Sequence, residues 1–380
     1  MIFKNLEPIN FVVKSLFLSK RSWLSCLIWL LIILPSQAVE MRVAIKKQVD
    51  SVKIGSSTNA IVKDSTGKQL GQLTPRSALA AKLNDRKISI SDRLGATELI
   101  IEPQDNGYVW ISDRWYRGTT RLIRQNDGIT AINNVDLEQY LYSVVGAEAV
   151  SSWPIEALKA QAVAARSYAL YKRDTESNRI YDVDTTIGTQ VYKGLDSEYT
   201  TTHEAVNSTL GQIMTYNDQV ILAAFHSSSG GYTENVEDVW TSPLPYLRGV
   251  VDYDHQSPVF EWQQVIPVSK IKSLVAGVGK ISGLQPEKMT PRGRVITMKV
   301  TGDRGSTIVK GKDLRKALDL RSTLFRVATD GQNLRIKGRG FGHGLGLSQW
   351  GAYYLAQQGV NYHQILAHYY QSANLTRLEQ

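Results

Sequence analysis

The residue in this sequence best placed to do chemistry is a carboxylate with no obvious structural task. Glu148 sits among Val144, Val145, Ala147, Ala149, Val150 and Trp153. An apolar setting disfavours the ionised form and raises a carboxyl pKa. A carboxyl that keeps its proton can act as general acid in the cleavage of a glycosidic bond. The next carboxylate, Glu156, has a different explanation. It follows Pro154, which is pre-set for the first position of a helix, and so falls in a first turn where negative charge suits the helix dipole. Two structural readings of Glu148 stay open beside the chemical one: a cap for that helix, or an ion pair with Lys159. No second carboxylate is obviously paired with Glu148, as a glycoside hydrolase needs.

Other side chains could bind rather than react. Lys159 and Arg166 are seven residues apart, on one helix face with Val163. They form either a solvated basic face or one wall of a cleft beside Glu148. In the second case the Arg166 guanidinium binds a sugar oxygen or carboxylate in a fixed fork, not the catalytic carboxyl, whose pKa it would lower. In the run Ser227-Ser228-Ser229-Gly230-Gly231, the glycines let backbone N–H groups approach a ligand and the hydroxyls suit sugar hydroxyls or N-acetyl carbonyls. Ser229 and Gly230 are therefore substrate-binding candidates. His226 near Ser229 suggests a Ser/His hydrolase, but no G-x-S-x-G elbow is present. His363 and His368 are five apart, the wrong spacing for a helical metal pair. His343 is either a hydrogen-bonded structural histidine or a cleft residue, and Gln349 follows it at the start of a helix.

These residues need elements to hold them. Residues 41–133 alternate short β-favouring runs with turn clusters such as Asp105-Asn106-Gly107 and Asn126-Asp127-Gly128. A helix opens at Asp136, carries Leu137, Tyr140, Leu141 and Val144 at helical spacing, and stops near Gly146, which leaves Glu148 in a short link. The helix over 154–173 carries so many alanines that it should be buried on most sides. Residues 263–330 form a small insert, with helices over 268–274 and 312–318 and a strand over 294–300, acting as wall-chain contact or scaffold. Glycine recurs at 338, 340, 342, 344 and 346, a spacing that gives an extended strand one bare face. Gln349 then starts a helix that ends at Gly359, and Asn361 caps a last one. The fold class is α+β: a strand-rich part (39–133), a core with Glu148 and the Ser-Gly-Gly loop (134–262), the insert (263–330), and a closing segment (331–380) that completes the core.

The first 38 residues differ from the rest. Lys4, Lys14, Lys20 and Arg21 precede the apolar run 23–34 and then Pro35-Ser36-Gln37-Ala38. This reads as a secretory signal peptide cut after Ala38. If uncut, the segment serves as a membrane anchor. Its removal takes four basic groups and one acid, Glu7, so the net charge falls from +9 to +6. A modest positive balance suits an anionic wall polymer or membrane surface. No nucleic-acid motif accompanies it. The one cysteine, Cys26, lies within the signal run, so the exported chain has no thiolate ligand and no disulfide.

The stretch from Tyr140 to Tyr171, YLYSVVGAEAVSSWPIEALKAQAVAARSYALY, resembles the core motif of the stage II sporulation protein D family, also called the amidase-enhancer family. Trp115-Tyr116-Arg117-Gly118, the Ser-Gly-Gly segment through Glu237-Asp238-Val239-Trp240, and residues 311–323 extend the resemblance over most of residues 41–376. It implies peptidoglycan lytic transglycosylase activity, with Glu148 as catalytic acid and then base, and a 1,6-anhydro product. Peptidoglycan glycan strands are the implied partner. The rival reading is a non-catalytic module that binds wall or a cell-wall amidase and raises the amidase's activity. Some family members carry a Cys/His metal site before the Gln-Val-Tyr at 190–192. Here Val183, Gly188 and Thr189 stand in that segment, none able to ligate zinc, so neither metal nor other cofactor is expected. Gln190 is a cleft candidate, and His343 and Gln349 complete the substrate-binding set. Export places the activity outside the cytoplasm, in periplasm or wall.

Overall fold

The computed structural model describes residues 39–378 except 85, 92–93, 176–179, 187 and 241. The signal-peptide reading concerns residues 1–38 and lies outside the described residues. Two sheets fill the first third of the described chain. The larger has seven strands in the order Val183–Asp184, Glu40–Val49, Gly128–Asp136, Thr119–Gln125, Glu98–Pro103, Ala60–Asp64 and Gln69–Leu73. The smaller has six and runs from Arg114–Tyr116 to Leu94–Ala96. Alternation explains both: Val62, Leu99, Ile101 and Leu122 from one sheet and Ile54, Ala81, Ile88 and Ile111 from the other bury their side chains in one shared core. Turn chemistry sets the reversals. Asp64, for example, accepts the N–H groups of Thr66 (2.9 Å) and Lys68 (3.1 Å), an Asx-type turn.

The strand Gly128–Asp136 runs straight into the first helix, Leu137–Glu148. Asp136 is its N-cap, accepting from the Gln139 N–H at 3.0 Å. The helix does not stop at Gly146. A Cβ there would stand 2.0 Å from the carbonyl oxygen of Ser197, so this glycine permits close packing within the helix and Glu148 becomes its last residue. The long helix, Ile155–Thr175, lies at the junction of two cores. Leu158, Ala162, Ala165 and Ala169 pack with the sheets. Ala160, Val163 and Ala164 pack with Ile221, Ala224, Leu347, Ile365 and Leu366. Small side chains on both faces are what allow elements to approach it from both sides. Ser348 and Asn361 cap the closing helices Gln349–Gln357 and Tyr362–Tyr369. The insert over 263–330 has its own core, including Ile271, Met298, Val300 and Leu314, to which Ile336 of the following strand contributes.

The glycine-rich segment departs from the expected extended strand. The strand ends at Arg339, and Gly340, Gly342, Gly344 and Gly346 all take positive φ (72°, 122°, 84° and 66°). Left-handed residues at alternate positions coil the chain, so there is no bare face. Gly346→Ala should destabilise the fold by about 1–2 kcal/mol from its conformation alone. The clash adds to this, since the new Cβ would stand 2.0 Å from the Ala224 carbonyl oxygen, which already accepts from Leu347 N–H and Tyr370 Oη–H. Denaturant unfolding with an unchanged midpoint would refute this.

Candidate active site around Glu148

Glu148 closes the first helix, so its carboxyl stands at the negative end of the helix dipole and is half-buried. Burial pushes its pKa above the usual carboxylate range, and the dipole acts in the same direction. Three opposing contacts lower it: the Val191 N–H donates to Oε1 at 2.7 Å, the Gln349 side chain hydrogen-bonds it, and Lys193 lies near enough to act by charge. Among the described residues no other carboxylate acts on its ionisation. The group is therefore an oriented carboxyl with a raised pKa, held by one backbone and one side-chain amide.

Each holder is itself positioned. Gln349 begins a helix that Ser348 caps, and its Nε2 donates to Gln161 Oε1 on the long helix at 3.3 Å. Gln190 does not face a cleft as expected. It is buried, accepts from Tyr140 Oη (3.1 Å) and donates through Nε2 to the Ala165 carbonyl (3.1 Å). These bonds fix the backbone next to Val191, so Gln190 orients the N–H that holds Glu148. Beside Gln349 the half-buried rings of Trp153, Trp350 and Tyr353 meet at centroid distances of 4.9 to 5.3 Å. Val191 and this aromatic group were not singled out in the sequence. The signal available for the aromatics was Trp153 just before Pro154 and Trp350 just after Gln349.

The basic residues lie elsewhere. Lys159 donates to Glu156 Oε1 at 2.8 Å, with its ammonium 5.7 Å from the Tyr362 ring centre. The open pairing with Glu148 thus falls to Glu156 instead. Arg166 is 0% exposed and grips Glu138 with two bonds, Nε–Oε1 2.8 Å and Nη2–Oε2 2.6 Å. The reason is geometric. The first helix and the long helix fold back on each other, at 1.5 Å of rise per residue. Residue 166, eleven residues into the return helix, comes level with the start of the first helix, ten residues before Glu148. The expected substrate role of Arg166 is therefore corrected to a buried ion pair.

Ser229 and Gly230 are also turned inward. Ser229 Oγ donates to Asp252 Oδ2 (2.6 Å) and the Gly230 N–H to Asp254 Oδ2 (2.9 Å). Both carboxylates are buried and claim these donors in place of water. Burial, then the charge of Asp254, raises the Asp252 pKa. His226 bonds the Leu345 carbonyl through Nδ1, so no Ser/His pair forms. His343 accepts the Leu345 N–H at Nδ1 (3.0 Å) and packs on Trp240, and burial pushes its pKa down to about 3. It is neutral and structural. In the segment where a metal site was considered, Val183 pairs with Val43 and Thr189 Oγ1 donates to the Asp184 carbonyl. Among the described residues no three His, Cys, Asp or Glu side chains gather as a metal would require. Among them, too, no helix is long and apolar enough to cross a membrane.

Residues 125–216, which contain Glu148 and its Val191 donor, match the family model for "Stage II sporulation protein". Residues 251–346 match a domain of unknown function, DUF8618. Stage II sporulation protein D of Bacillus subtilis (strain 168) is 37% identical over 276 residues, 66% of this chain and 77% of that protein. An uncharacterized protein of Brachyspira hyodysenteriae is 29% identical over 314 residues, 78% of this chain and 84% of its own length. The amidase enhancer of Bacillus subtilis is 31% identical over 291 residues, 62% of this chain and 40% of that protein.

Proposed function

The chain belongs to the stage II sporulation protein D family, and from that premise we propose that it is a peptidoglycan lytic transglycosylase acting outside the cytoplasm. The observation that carries this reading is Glu148: one oriented, half-buried carboxyl with a raised pKa and, among the described residues, no carboxylate partner. Protonated Glu148 gives its proton to the oxygen bridging N-acetylmuramic acid and N-acetylglucosamine. The C1–O bond breaks with oxocarbenium character at the muramic acid ring. Glu148, now a carboxylate, takes the proton from that ring's C6 hydroxyl as its oxygen bonds C1. The product is a 1,6-anhydro sugar, formed without net addition of water. A hydrolase would use a second carboxylate for water or as nucleophile. One acid that later serves as base suits the intramolecular route. The rings of Trp153, Trp350 and Tyr353 offer apolar faces beside the site for sugar rings. Purified glycan strands incubated with the protein should yield fragments ending in 1,6-anhydro-muramic acid by mass spectrometry. Fragments carrying an added water at the cut would refute the transglycosylase reading.

The similarity to an amidase enhancer favours a second reading, in which the chain binds wall and stimulates an N-acetylmuramoyl-L-alanine amidase. An increased amidase rate with intact glycan strands would select it.

The pH profile supplies a separate check. The acid must be protonated, so cleavage is lost as pH rises through the raised pKa of Glu148. The Gln349 bond favours the charged form and lowers that pKa. Gln349→Leu should therefore move the alkaline limb of kcat/KM to higher pH. A limb moving downward would show that Gln349 does not act on Glu148 in this way.

A further inference from the structure

A groove of about 970 Å³ lies in the region that matches the domain of unknown function. Trp262, Leu324 and Phe325 line its apolar part, and Arg292, Arg326, Lys337 and Arg339 bring four cations against one acid, Glu261. All four cations are exposed, and none makes an ion pair among the described residues. Arg339 faces the one acid, Glu261, across the neighbouring strand, but two of the other cations are unfavourably placed for the fold alone. Arg326 and Lys337 are direct cross-strand partners on adjacent strands, Phe325–Thr329 and Asn333–Arg339. Like charges directly opposite destabilise a sheet. Arg339 is two residues beyond Lys337 and so on the same face. Cations gathered beside an open groove suit a carboxylate or another anion.

Aromatic rings flank this row. Tyr232 is 46% exposed with the Arg292 guanidinium 4.4 Å from its centre, and Phe341 is 42% exposed beneath Arg321 at 6.0 Å. Such rings offer a flat face to a sugar while the guanidinium forks take a carboxylate. The groove is also tied to the site at Glu148. The Ser227 carbonyl accepts from the N–H of Trp350 at 3.0 Å, next to Gln349. Three residues on, a Cβ at Gly230 would meet Leu324 and Arg339 of the groove at 3.0 Å. Three residues span at most about 11 Å. This short stretch of chain joins the backbone beside Gln349 to the wall of the groove.

We propose that this groove is a second glycan-binding site, taking a carboxylate-bearing stretch of the strand whose neighbouring sugars occupy the Glu148 site. This rests on the transglycosylase reading for the identity of the strand. The cations take the carboxylates and the exposed rings take the sugar faces. The test uses the full chain carrying Glu148→Gln, which binds without cutting, and purified wall glycan strands as probe. Arg326→Gln/Lys337→Gln should weaken binding about tenfold and leave the melting temperature unchanged or raised, because a repulsive pair is gone. Amidating the strand carboxylates should weaken binding to the parent by a similar factor and add little to the loss in the double variant. Unchanged affinity in the double variant, or equal affinity for amidated strands, overturns the proposal. Stronger competition from inorganic polyphosphate or poly-glutamate than from free strands also overturns it, in favour of a phosphate polymer or an acidic peptide. If the double variant fails to fold, Arg339→Gln carries the same test. Failure here leaves cleavage at Glu148 untouched, since that is read from the anhydro product.

Discussion

Glu148→Gln is expected to lower glycan cleavage by about 10²- to 10⁴-fold, the usual contribution of a positioned general acid, without lowering stability at neutral pH. The amide cannot donate an acidic proton or return as a base, but it fits the same space and still accepts the Val191 N–H. The stability half of this expectation follows from linkage. The folded-state pKa of Glu148 is raised by burial. For such an acid the relative stability is full below the unfolded pKa and is lost as pH rises through the folded one. Wherever it is ionised in the folded state the carboxylate therefore opposes folding, at the end of a helix whose dipole also disfavours it. The neutral amide removes both penalties. Calorimetry at pH 7 alongside anhydro-muropeptide release checks the two halves together. Cleavage at the parental rate would remove Glu148 from the chemistry. Lost activity with a marked fall in melting temperature would assign it a structural role instead.

Arg166→Leu should cost about 3–5 kcal/mol, as breaking a buried pair by removing one partner does, and lower the melting temperature by on the order of 10 °C. Arg166 is wholly buried and serves three acceptors: Glu138 through two nitrogens, the Gln212 carbonyl at 3.0 Å and the Val206 carbonyl at 3.4 Å. It thereby ties the first helix, the long helix and the chain after the helix Thr200–Ser208 into one unit. Without it, Glu138 keeps a charge in a largely desolvated place and two carbonyls lose a donor. Arg166→Lys keeps the charge but not the fork, so its loss should be smaller yet clear. Adding Glu138→Leu to Arg166→Leu should recover much of the stability, because the uncompensated charge goes. The pH profile of cleavage per folded molecule should not change, since Glu148 is not a partner. Wild-type stability with lost cleavage would restore a substrate role for Arg166.

These two glutamates mark what is written locally in a sequence. Glu148 is legible because its neighbours within one or two turns are apolar and because Glu156 has its own task after Pro154. The strand-rich start, the Asp136 and Asn361 caps, the alanine-rich helix and the place of the insert are legible for the same reason. Each depends on propensity, periodicity or capping, forces that act over a few residues. The α+β class follows from these elements together.

Partners across the chain were decided only by tertiary packing. Arg166 finds Glu138 28 residues away, Val191 reaches Glu148 over 43, and Gln349 meets Gln161 over 188. A buried polar group takes whichever donor or acceptor the packed elements bring to it, and spacing along the chain does not encode that choice. Ser229 and Gly230 therefore turn to two buried aspartates, and Gln190 turns to a helix carbonyl. The glycines from 340 to 346 coil because each lies against a side chain or carbonyl from a distant element, such as His226, Arg294 or Ala224. The sequence determined which carboxyl could be the acid. The fold decided what holds it and which cations line an open groove.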